Sequence, residues 1–145
     1  MNVYILWQKA TFFDESDTII AIYTKEGLEK AKKTKFLDLA VKHIKSVINI
    51  NQINIEAYHR EREANIADEK ATLKKIQSLS DKFSGEHKKL TKERKSYLDG
   101  IDYCNRQIKS CQFNISKVQG LSDEEKVDYY FKEMNYYIEE EEVIE

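Results

Sequence analysis

At 145 residues, 41% of them hydrophobic, the chain has material for one modest core, while 34% charged residues, no proline and only four glycines favour long, solvated helices. No run of about 18 apolar residues occurs, which excludes a membrane-spanning helix. Two cysteines without a secretory leader point to free thiols and a cytoplasmic protein, in the host cytoplasm if the chain is phage-encoded. The net charge of −2 hides a split: residues 25–119 carry 21 basic and 13 acidic side chains, net +8, whereas residues 121–145 carry 2 and 10, net −8. Such a split holds two parts of one fold together, joins subunits or presents two unlike surfaces.

In chain order, residues 3–8 and 18–24 are β-branched and aromatic, and a polar loop from Thr11 to Asp17 separates them. This predicts a β-hairpin. Both faces of the first strand are apolar, so the sheet needs cover on both sides, or on one side by a second subunit. Thr24 is a good N-cap. Leu28, Ala31, Leu37, Ala40, Val41, Ile44, Val47 and Ile48 follow it at helical spacing. Asn49 to Tyr58 fits helix or strand, and helix is favoured.

From Ile66 the apolar steps of three and four run without a slip through Glu69, Leu73, Ile76, Ser80, Phe83, His87, Leu90 and Arg94. They continue through Tyr97, Ile101, Cys104, Ile108, Cys111, Ile115 and Val118. This is a coiled-coil seam, with the cysteines acting as small hydrophobes. Either the helix turns back near Ser84-Gly85-Glu86 into an antiparallel pair, or one straight helix pairs with a second chain. The folded-back form is favoured because it returns the chain to the sheet.

Gly120 has the place of a helix-ending C′ residue, and Ser122 with Glu125 reads as a capping box. A short helix from Asp123 to Met134 buries Val127, Tyr130, Phe131 and Met134, and Asn135 stops it. A third strand follows from Tyr136 to Ile144, interrupted by Glu139 to Glu142. The fold class is therefore α+β, mostly α. A small antiparallel sheet head (1–50 and 121–145) carries a long antiparallel helical coiled-coil insertion (51–120).

The string Val3-Tyr4-Ile5-Leu6-Trp7, the acidic loop, Asp17 to Thr24 and the Lys/Glu/Ala-rich helix that follows resemble a strand–loop–strand–helix module of small uncharacterised phage and bacterial proteins. Those proteins often close on a strand similar to Tyr137-Ile138-Glu139-Glu140. The resemblance covers about 35 residues at one end and about ten at the other. Gln8 stands near the place where a His follows the first strand in that module, and the long arm departs from its short form. The resemblance implies a phage-type accessory protein and no catalytic activity.

The residues themselves carry no nucleophile motif, glycine-rich phosphate loop or paired-carboxylate signature. His43, His59 and His87 lack metal-ligand spacing, and no cofactor is implied. The four arginines, Arg60, Arg62, Arg94 and Arg106, are the candidate anion ligands, with Tyr130 and Tyr137 as aromatic partners. Trp7, Tyr97, Ile101, Cys104, Ile108, Cys111, Ile115 and Val118 are the candidate interface residues. The expected function is non-enzymatic binding and oligomerisation by a phage or mobile-element protein that engages a host component, with counter-defence as one role. A sponge for a small anionic or cyclic-nucleotide signal at a subunit interface is the alternative. A nucleic-acid-associated coiled coil, using the basic run Lys88 to Lys95, is the third reading. The expected partners are a second copy and a host protein or small anion, and no membrane.

Overall fold

The structure is a computed structural model that describes residues 1–144. Its elements in order are β1 (Asn2–Gln8), β2 (Thr18–Tyr23), α1 (Lys25–Lys33), α2 (Lys35–Ser78), α3 (Gly85–Val118), α4 (Asp123–Glu133) and β3 (Tyr136–Glu142). The chain divides into two compact units: a head, residues 1–47 and 118–145, and an arm, residues 48–117. No helix is long and apolar enough to cross a membrane among the described residues.

In the head, β1 is the central strand of a three-stranded antiparallel sheet ordered β2-β1-β3. The sequence expectation of a hairpin joined by a C-terminal strand holds, but Glu139 to Glu142 do not interrupt β3. They pair in register with Ile5 back to Asn2. An edge strand with one flank in solvent can carry glutamates without burying them, and charges there blunt pairing with another sheet.

Leu6, fully buried, packs with Phe36 and Ala40 of α2 and with Val127, Tyr130 and Phe131 of α4. Phe36 meets Phe131 edge-on, ring centroids 5.1 Å apart. Thr24 caps α1 by accepting from the Gly27 N–H, and Ser122 with Glu125 forms the capping box of α4. Asn135 (φ 57°) and Gly120 (φ 77°) take the left-handed conformation their helix-stopping roles require.

The expected unbroken helix from Lys25 is interrupted at Thr34. There the backbone leaves helical geometry (φ −123°, ψ −89°), while the Thr34 hydroxyl donates to the Lys30 carbonyl. The break precedes Phe36, which is 2% exposed in the core. Sequence spacing alone had not marked Phe36 as a core residue.

In the arm, Asn49 to Tyr58 is helical and α2 continues to Ser78. The chain folds back as expected, but earlier than Ser84-Gly85-Glu86: the turn spans Leu79 to Ser84, and Gly85 opens α3. Ser80 and Phe83, expected in the seam, lie in that turn, and Phe83 is 89% exposed.

On α2 the expected Ile66, Glu69, Leu73 and Ile76 are all half-buried, and a neighbouring row that sequence had not assigned, Tyr58, Arg62, Asn65 and Thr72, is buried or half-buried beside them. On α3 the expected seam is present, with Leu90, Cys104, Ile108 and Cys111 buried.

Candidate functional site

The open face of the head sheet follows from strand alternation. Leu6, Tyr23, Tyr136 and Ile138 point to the helical core, so residues one step away point outward. On β1 these are Val3, Ile5 and Trp7. A register shift after Leu6 pairs Trp7 with Ile19, and Ile5 pairs with Ile22. On β3, Tyr137, Glu139 and Glu141 lie opposite Trp7, Ile5 and Val3. Ile22 is 60% exposed and Ile19 48%.

Trp7 and Tyr137 stack almost parallel (8°) at 6.3 Å. The Tyr137 hydroxyl donates to Asp17 Oδ2 at 2.7 Å, and Asp17 Oδ1 accepts from the Ala10 N–H at 2.9 Å. One carboxylate thus ties the β1–β2 loop to β3. The Ala10 N–H and the Tyr137 hydroxyl both favour its charged form, holding Asp17 below the usual aspartate range. The same bond pushes the Tyr137 phenol up to about 12. Beyond Tyr137 the face turns acidic. Glu139 shares a hydrogen bond with Glu141, which raises its pKa because one proton between two carboxylates is held more firmly.

The candidate anion ligands are placed differently from a converging site. Arg62 Nη1 donates to Asn105 Oδ1 (3.0 Å), and its Nη2 lies 2.8 Å from His59 Nδ1. Because arginine only donates, that ring nitrogen accepts. Arg94 Nε donates to Glu69 Oε1 at 2.8 Å. Both arginines are therefore committed to side chains within the arm, while Arg60 and Arg106 are exposed on it. In the head, Tyr130 belongs to the core, meeting Phe131 and Tyr136, and Tyr137 lies on the opposite side of the sheet.

Of the candidate interface residues in the arm, Cys104, Ile108 and Cys111 are buried, and Tyr97, Ile101 and Ile115 half-buried. They face α2 of the same chain, so this seam is not open to a second copy. Val118, also buried, is counted with the head. Trp7 lies on the open sheet face. Burial raises the Cys104 thiol, which leaves it inert rather than nucleophilic.

A cleft of about 650 Å³ in the head sets Lys32 and Lys33 among Glu29, Asp123, Glu124 and Asp128. Two lysines among four carboxylates make a mixed helix–helix surface, not an anion pocket. His43 lies between Tyr129 and Tyr130, 5.9 Å from each ring, with its Nε2 unpartnered. No group of three His, Cys, Asp or Glu side chains is placed to hold a metal among the described residues.

Sequence reasoning missed the Asp17 tether, the His59–Arg62–Asn105 network and the close approach of Gly100 to Asn65, where an added Cβ would meet the amide at 2.8 Å. The glycine was the one available signal, since a glycine inside a long helix marks packing. Compared with protein-family models, curated proteins and solved structures, the chain matches none.

Proposed function

We propose that the protein is a non-enzymatic binding protein of phage or mobile-element type that self-associates through the open face of its head sheet and engages a host component in that form. The observation that carries this reading is the apolar half of that face: Ile19 (48% exposed) and Ile22 (60%) stand beside half-buried Trp7 and over Ile5, itself only 7% exposed. Contiguous apolar surface of this kind marks an interaction site.

The occupant argued for is a second copy. Its acidic edge on β3 discourages any packing that sets β3 over β3. A two-fold axis parallel to the strands instead sets each copy's β3 against the other's β2. That arrangement keeps the two rows of glutamates apart, at opposite rims, and brings the two copies' β1 strands together at the centre. Isologous interfaces with an apolar centre and polar rim have this form.

Light scattering across a concentration series tests the reading. The wild-type chain is expected to dimerise, and Ile22→Lys to stay monomeric with unchanged helical circular dichroism. A wild-type chain that stays monomeric up to high micromolar concentration overturns it. Capture of a host protein by wild type and not by Ile22→Lys would join the two halves of the proposal.

A further inference from the structure

We propose that the tip of the arm docks on an anionic lipid surface. The observation is an exposed aromatic held at the end of a lysine-rich helical hairpin. Phe83 is 89% exposed, and the turn that presents it is built rather than frayed. Its N–H donates to Asp81 Oδ1 (2.8 Å), and the Ser84 hydroxyl donates to the Asp81 carbonyl (3.1 Å). The His87 N–H in turn donates to Ser84 Oγ (3.1 Å). Nothing in this turn shelters the ring.

Between Lys70 and Lys95 the sequence has eight lysines against three carboxylates, Asp81, Glu86 and Glu93. All eight lysines are exposed, and none belongs to an ion pair among the described residues. Their placement decides the shape of the partner. Lys70 and Lys74 lie on the side of α2 turned away from its buried stripe, and Lys88 and Lys92 on the side of α3 turned away from Leu90 and Arg94. Positive charge therefore flanks both outer sides of the hairpin, with Lys82 and Phe83 at its end.

A nucleic-acid duplex lying along the arm would meet one side only. A plane met end-on engages both sides and receives the ring at its interface. Lys74 and Lys88 lie within about 6 Å of their helix ends along the axis, inside the Debye length of about 8 Å at physiological salt. Anionic headgroups attract lysines at that depth, and an aromatic side chain is at home in the interfacial layer. Such peripheral contact needs no spanning helix and differs from the absence of membrane contact expected from sequence. It is independent of the sheet-mediated dimer.

Sedimentation of the full chain with vesicles tests the proposal. The expected result is binding to phosphatidylcholine vesicles containing about 30 mol% phosphatidylglycerol and none to pure phosphatidylcholine. Binding should vanish near 1 M salt, where the Debye length falls to about 3 Å. Phe83→Ser, and separately the pair Lys82→Glu and Lys88→Glu, should each weaken it at least about tenfold. These positions are exposed, so unchanged circular dichroism is expected to confirm folding. Absence of sedimentation with the anionic vesicles at low salt overturns the proposal. So does binding that both variants leave intact, or binding to a short nucleic-acid duplex without binding to vesicles.

Discussion

At Gly100 the arm's returning helix lies against Asn65 of α2, and replacing the glycine tests that packing directly. A Cβ added there would sit 2.8 Å from Asn65 Nδ2 and 3.1 Å from Asn65 Cγ. Ordinary contact begins near 3.5 Å, so Asn65 must leave its rotamer or the helices must spread by about half an ångström. Overpacking of this kind costs about 1–3 kcal/mol. Against it, Gly→Ala inside a helix gains about 1 kcal/mol of propensity. Gly100→Ala alone is therefore expected to be neutral or to destabilise the arm by up to about 2 kcal/mol. In an Asn65→Ala background the obstruction is gone, and the same change should stabilise by about 1 kcal/mol. A double-mutant cycle by urea unfolding, followed by circular dichroism, gives the coupling as the difference between the two. If Gly100→Ala stabilises equally in both backgrounds, the close approach does not exist.

Three other outcomes are expected. Phe36→Ala should cost the head about 3–5 kcal/mol, since the ring is 2% exposed and packed edge-on against Phe131, and thermal unfolding measures it. In the Glu69–Arg94 pair the carboxylate side chain is 13% exposed and the guanidinium 39%. Arg94→Leu, which strands the more buried partner, should therefore destabilise more than Glu69→Leu. The double Leu variant should return near wild type, as matched apolar replacements of a buried pair often do. Equal single-variant losses in urea titrations would refute the asymmetry. The Asp17–Tyr137 tether should hold between about pH 4 and pH 10. Asp17 is depressed, so its contribution is complete above the ordinary aspartate range and is lost as pH falls through its lower folded value. Tyr137 is raised, so its contribution is complete below the ordinary tyrosine value and is lost as pH rises towards about 12. Asp17→Asn should flatten the acid limb in an NMR titration of the β1–β2 loop.

Features governed by near neighbours were readable from sequence. Thr24, Gly120, the Ser122–Glu125 box and Asn135 act within a few residues of themselves, and each stands where expected. Features governed by distant partners were not. Glu69 and Arg94 look like flaws in the seam until they are seen to bond each other. Arg62 and Asn65 lie outside the apolar spacing that marks Ile66, Glu69, Leu73 and Ile76, so their inward placement beside that seam was not legible. The glutamates of β3 concealed a strand because polarity along a chain does not reveal that one flank of an edge strand is wet. At the candidate site, the two-faced apolar character of β1 was evident from alternation. The acidic half of the open face became clear only from the register that sets Glu139 beside Ile5.

The polar positions in the arm explain why it folds back where it does. As residue numbers rise along α2 they fall along α3, from Asn51–Asn114 through Tyr58–Tyr103 to Asn65–Gly100 and Glu69–Arg94, with the long Arg62 side chain reaching along α3 to Asn105. An apolar heptad seam is nearly indifferent to a slip of seven residues, because each hydrophobe finds another. These pairs are not indifferent. A slip of one heptad would set Glu69 against Ile101 or His87 and Arg62 against Leu98 or Gln112, parting both charged groups from their partners. Stranding a buried charge costs about 3–5 kcal/mol, and somewhat less where it can turn to solvent. The register fixed by these pairs centres the reversal on Lys82 and Phe83, not on the glycine two residues later. The turn thus falls where an exposed aromatic and a lysine become the end of the arm, and Gly85 is left to begin the returning helix.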